Sequence, residues 1–92
     1  MTTNPMCLKI DPERVALGLQ QEAMEMVKSA EGELVLDFSS VLRIDSNVAG
    51  ALEQLAGLAD NRSVKVVLRA VNADIYKVLK LLQLAQRFSF RS

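Results

Sequence analysis

The sequence predicts a single small α/β domain, with a mainly parallel sheet of about four strands covered by helices in the order βαβαβαβ. Three observations carry this prediction. Short apolar runs alternate with longer stretches whose apolar residues recur every third or fourth position. The runs 34–38 and 64–71 are nearly all apolar, as strands covered on both faces of a parallel sheet are. Three of the runs lead into residues that open helices: Asp11-Pro12-Glu13, Asp45-Ser46-Asn47 and Asn72. Ninety-two residues make one domain. It spans 6–92, behind a polar and loose 1–5.

Residues 6–10 form the first strand, an apolar run broken by Lys9. A helix opens next, with Asp11 as its cap, Pro12 at its first position and Glu13 in its first turn. It runs to the neighbourhood of Ala30, where Glu31-Gly32 stops it. Val15, Ala16, Leu19, Ala23, Met26, Val27 and Ala30 share one stripe that should face the sheet. Leu17 and Met24 fall on the opposite side, as scattered surface hydrophobes or as a partner contact.

The second strand, 34–38, ends in Asp37-Phe38, and 39–45 is a loop. The second helix runs over about 47–59, with Ser46 as the N-cap candidate. Val48, Leu52, Leu55 and Ala59 form its core stripe, and Gly50, Glu53, Gln54 and Gly57 lie on its far side. Each glycine costs about 1 kcal/mol of helix propensity against alanine. Either another element of the chain packs over them or a partner comes close. Asp60 to Ser63 is a polar turn, and 64–71 is the third strand, with Lys65 and Arg69 on a shared side. Asn72 caps a third helix over 73–82, with Ile75, Val78, Leu79 and Leu82 inward and Lys77 and Lys80 outward. A loop at 84–86 and a short strand at 87–90 complete the chain. Val66, Leu68, Leu36, Leu52 and Leu79 belong to the core.

Composition narrows the function. Eleven basic and eleven acidic residues cancel, which argues against nucleic acid. There is no histidine, and Cys7 is the one cysteine, so a Ser-His-Asp arrangement and a Cys/His zinc cluster are both impossible. Neither phosphate-cradling glycine motif is present. Asp37 and Asp45 could form an acid pair. Ordinary turn chemistry instead has one bonding loop amides and the other flanking a cap. The expectation is a chain without catalytic residues, metal or cofactor. The lone thiol, the missing leader pattern and the lack of any apolar run near ~20 residues suggest a cytoplasmic chain that does not insert into membranes. Binding and regulation remain. In parallel sheets, such sites lie beyond the carboxyl ends of the strands, where Asp37, Asp45 and Ser46 fall.

Here the residues resemble a known family. Leu34-Val35-Leu36-Asp37-Phe38-Ser39, then Ile44-Asp45-Ser46-Asn47, then Gly50-Ala51-Leu52 is similar to the central motif of STAS domains, the bacterial anti-sigma-factor antagonists. In that family a strand ending in Asp is followed by an Asp-Ser-Ser-Gly-Leu-Gly type segment that opens a helix. Here the segment is Asp45-Ser46-Asn47-Val48-Ala49-Gly50, with Val48 and Ala49 where the family has glycine and leucine. The segments 66–71, 75–84 and 88–90 resemble the family's later strand, helix and final segment, so the likeness covers about 33–90. The family's longer two-strand opening has only 6–10 to match it.

The resemblance implies a protein-interaction switch in transcription regulation. A partner kinase, itself an anti-sigma factor, phosphorylates the serine that matches Ser46, and the unphosphorylated form binds that partner. The implied contact surface is Asp45, Ser46, Asn47, Gly50, Glu53, Gln54 and Gly57, with Asp37 as a supporting motif residue. The chain also resembles, through its segment 72–79, the small STAS subunits of lipid-type ABC transporters, where the motif hydroxyl meets the ATPase and no phosphate is implied. A sensing module of a larger signalling complex is a third expectation.

Overall fold

The apolar runs pair as β1 (Met6–Lys9), β2 (Glu33–Asp37), β3 (Lys65–Arg69) and β4 (Ser89–Arg91). The computed structural model describes residues 6–91, and the expectation of a loose 1–5 lies outside them. The strands form one sheet in the order β1-β2-β3-β4, and every pair is parallel. The register sets Leu36 opposite Leu8 and Leu68, and Asp37 opposite Lys9 and Arg69. Three helical segments connect the strands: α1 over 15–29, α2 (Ser46–Asn61) and α3 (Ala73–Leu81). No helix among the described residues is long and apolar enough to cross a membrane.

Each new strand is added on the same side of the last. Parallel crossovers are right-handed, so this order sets all three helices on one face. One core joins them there: Leu34, Leu36, Val66 and Leu68 from the sheet with Leu19, Leu52, Leu55, Ile75 and Leu79 from the helices. Leu36, Leu52, Val66, Leu68 and Leu79, expected in the core, are all buried, whereas Leu82, expected on the inner stripe of α3, is 51 % exposed just past the helix end.

The central strands are buried on both faces, as expected, but the helices cover only one of them. Val35 and Val67 are buried, but they stand outside the helix-side core. Side chains alternate along a strand, so these two share the other face with Glu33, Asp37, Lys65 and Arg69. Charged side chains pair over that face. Arg91 Nη2 lies 3.2 Å from Glu33 Oε2 and Arg69 Nη1 3.6 Å from Asp37 Oδ2. Arg91 registers with Arg69 and Glu33 with Lys65, so the first pair reaches across Val67, and long charged side chains shield apolar groups with their stems.

Element boundaries shift for local reasons. Asp11 does not cap a helix. Its Oδ1 accepts from the Glu13 amide at 2.9 Å and its carbonyl from the Arg14 amide at 3.1 Å, closing a turn, and the helix begins at Val15. α1 contains a π-helical stretch, Gly18–Ala23. Val15, Leu19, Ala23 and Val27 are buried at four-residue spacing. In an α-helix that spacing drifts by about 40° per step, and the wider π turns absorb the drift. Met24 packs against the core, whereas Leu17 is 45 % exposed. β3 is shorter than the apolar run because Ala70, at φ 60°, leaves extended geometry. The expected loop at 84–86 is a 3₁₀ turn, Ala85–Arg87, which delays β4 to Ser89.

Candidate functional site

β2 ends at Asp37, and the chain crosses to α2 through residues 38–45. Phe38 and Val41 are buried and anchor this connection, while Leu42 stands 77 % exposed. Asp37 holds its start. Asp37 Oδ1 accepts from the Ser39 amide at 2.8 Å. That bond, a second from the Ser39 hydroxyl and the nearby Arg69 and Lys9 charges hold the Asp37 carboxyl below its ordinary pKa, against the opposing effect of burial.

At the other end of the connection the capping assignment changes. Asp45, not Ser46, is the N-cap of α2: it is extended (φ −110°, ψ −175°), and its Oδ1 accepts from the Val48 amide at 2.9 Å. Aspartate is as good a cap as serine, and its carboxylate also suits the positive end of the helix dipole. Ser46 is therefore the first residue of the helix, exposed, and its hydroxyl has no hydrogen-bond partner among the described residues. Val48 and Ala49 turn inward and are buried.

From Ser46 an exposed stripe runs down α2 through Gly50, Glu53 and Gln54 to the half-buried Gly57. Of the two readings of its glycines, packing by another element is removed among the described residues. A Cβ placed on Gly50 or Gly57 would meet nothing within 4 Å. The structure thus brings Asp45, Ser46, Asn47, Gly50, Glu53, Gln54 and Gly57 onto one end and one face of α2. It leaves Asp37 on the opposite face of the sheet, where it supports the loop and pairs with Arg69. Asp37 and Asp45 each serve local backbone amides, as turn chemistry predicts.

One residue at the site was legible only as a cap. Asn72 Oδ1 accepts from the Ile75 amide at 2.8 Å, as expected, and Asn72 Nδ2 donates to the Leu42 carbonyl at 2.9 Å and the Val41 carbonyl at 3.4 Å. The cap of α3 thereby ties down the loop that presents Ser46. Contacts over thirty residues leave no trace in local sequence. A groove of about 500 Å³ opens beside the junction, lined by Arg14, Leu17, Arg43, Asp45, Asn47 and Val48. Arg14 and Arg43 bring two exposed cations to it that the sequence did not single out. The site holds hydroxyl, amide and carboxylate groups on a rigid helix end, which suits recognition. Among the described residues no cluster of metal-binding side chains occurs.

Comparisons with known proteins agree with this architecture. No curated protein matches the chain. It is similar to the crystal structure of a candidate anti-sigma factor antagonist from Thermotoga maritima, with TM-score 0.72 and 20 % identity, over 98 % of this chain and 75 % of that one. At that identity the likeness is one of fold. The family described as "Mlab, STAS domain" matches residues 10–90. With nearly the whole chain matched and the strand–loop–helix motif in place, the protein belongs to the STAS-domain family.

Proposed function

We propose that this chain is a protein-interaction switch operated at Ser46. In this reading it is a cytoplasmic bacterial anti-sigma-factor antagonist that binds its anti-sigma factor and kinase while Ser46 is unmodified and releases it on phosphorylation. The observation that supports this best is the division of labour at the helix start. Asp45 takes the capping role, so the Ser46 hydroxyl is exposed and heads a stripe that nothing in the described chain covers. A phosphate there adds about −1.5 to −2 charges at neutral pH. The helix N-terminus tolerates it, so the fold survives. A partner surface shaped for a neutral hydroxyl beside the Asp45 carboxylate does not accept it. The test incubates the protein with its cognate kinase and ATP and maps phosphate by mass spectrometry. Phosphate at Ser46 with loss of partner binding is the expected result, and no Ser46 phosphate from a kinase shown to be active overturns the switch.

A second reading is favoured by the description of the matching family, which carries the name Mlab. There the same end of α2 meets a transporter ATPase and stays unmodified. Ser46→Ala separates the two. The antagonist keeps its partner, whereas a subunit held through the hydroxyl loses affinity.

A further inference from the structure

The net charge of zero conceals a polarised molecule. Residues 1–60 hold ten of the eleven acidic side chains and four of the eleven basic ones, whereas residues 61–92 hold one and seven. Because the strands lie in chain order, this division in sequence becomes one in space. The acidic part includes the β1/α1 flank of the sheet, and the basic part is the β3/α3/β4 flank. α1 exposes Glu22 and Glu25, with Leu17 near them in sequence. α3 exposes Lys77 and Lys80 beside Leu81, which is 83 % exposed.

We propose that the chain associates with a second copy of itself edge to edge, the β4/α3 flank of one against the β1/α1 flank of the next. Four features of the molecule support this occupant. The flanks carry opposite net charge: residues 6–32 hold five acidic and three basic side chains, Lys9 and the Glu25-paired Lys28 among the latter, against one and seven over 61–92, which orients and attracts them. Each ends in a strand that pairs on one side only among the described residues, β1 with β2 and β4 with β3. All four strands are parallel, so β1 of the next copy lies alongside β4 with the same direction and keeps the helices on one face. Such edges are templates for pairing. Exposed leucines on both flanks add apolar contact, and zero net charge removes long-range self-repulsion. The contact joins two different surfaces, so it extends into a row rather than closing as a symmetric pair. This inference is independent of any role for Ser46.

Sedimentation velocity of the wild-type protein tests it. At about 50 mM salt the expected result is species larger than the monomer, weakened at least about tenfold at about 500 mM, where the Debye length is short. Two charge reversals sharpen the test: Lys77→Glu with Lys80→Glu, and Glu22→Lys with Glu25→Lys. Each variant alone should be monomeric at low salt, with an unchanged circular dichroism spectrum. An equal mixture should associate again, because each supplies the flank the other lacks. A wild-type protein that is monomeric at low salt overturns the proposal, as does association that neither reversal weakens or that mixing does not restore. A monomer that floats with phosphatidylglycerol vesicles assigns the basic flank to an anionic membrane instead.

Discussion

Along α2, Leu52, Leu55, Ala56 and Ala59 are buried against the sheet and α1, while Ser46, Gly50, Glu53 and Gln54 on the other side are exposed. The two faces share one backbone and one cap, so the difference lies wholly in the side chains. The inner face is set by what folding needs, because each large apolar group removed from water contributes about 1.5–3 kcal/mol. The outer face contributes little to that balance. It even carries two glycines that weaken the helix, which is tolerable only because the inner face and the Asp45 cap hold it. A surface that costs stability and meets nothing among the described residues is free to be shaped by a partner.

The comparison can be broken most forcefully from the inside. Leu52→Ala should lower unfolding free energy by about 2–5 kcal/mol, as for other fully buried leucines. A denaturant titration showing a loss under about 1 kcal/mol would mean that the inner face is misassigned. From the outside, Gly57→Arg should leave stability equal or raised by up to about 1 kcal/mol, since arginine is the better helix former. Affinity for the identified partner should fall about thirtyfold or more, the scale of a centrally placed contact. Unchanged affinity in calorimetry would remove this face from the interface.

The cap separates the two residues that open α2. Asp45→Ala should cost about 0.5–2 kcal/mol, whereas Ser46→Ala should change stability by no more than about 0.5 kcal/mol, as an exposed site without a partner does. Chemical denaturation of both variants decides this. Equal losses would return the capping role to Ser46. The smallest effect concerns Asp37. Its pKa is lowered in the folded state from the ordinary 3.8, chiefly by the Ser39 amide. The stabilisation is therefore fully present above the unfolded value and is lost as pH falls through the folded one. Asp37→Asn should destabilise at neutral pH, and the gap between the two proteins should narrow on acidification. A gap independent of pH from neutral down to about pH 2 would show that the carboxylate charge contributes nothing.

Much of this was available to local chemistry. The apolar runs became the four strands, the three- and four-residue periodicity became the helix faces, and Asn72 became a cap, because each depends on neighbours within a few positions. The outer stripe of α2 was legible for the same reason. The choice between Asp45 and Ser46 was not, since adjacent residues are both good caps and only the backbone path out of the loop decides which side chain meets the Val48 amide. Asp11 shows the same ambiguity resolved the other way, into a turn.

The tertiary structure decided what depends on distance along the chain. Strand order β1-β2-β3-β4 put all helices on one face and left Val35 and Val67 on the other, where charged side chains pair. It also joined Asn72 to the Leu42 carbonyl and sorted the acidic and basic parts of the chain to different flanks. The sequence by itself determined the elements, their inward faces and the motif of Asp37, Asp45 and Ser46, because backbone propensity and hydrophobic periodicity act over single turns and strands. What lies above a face, and which loop a side chain ties, is determined only when segments thirty residues apart pack together.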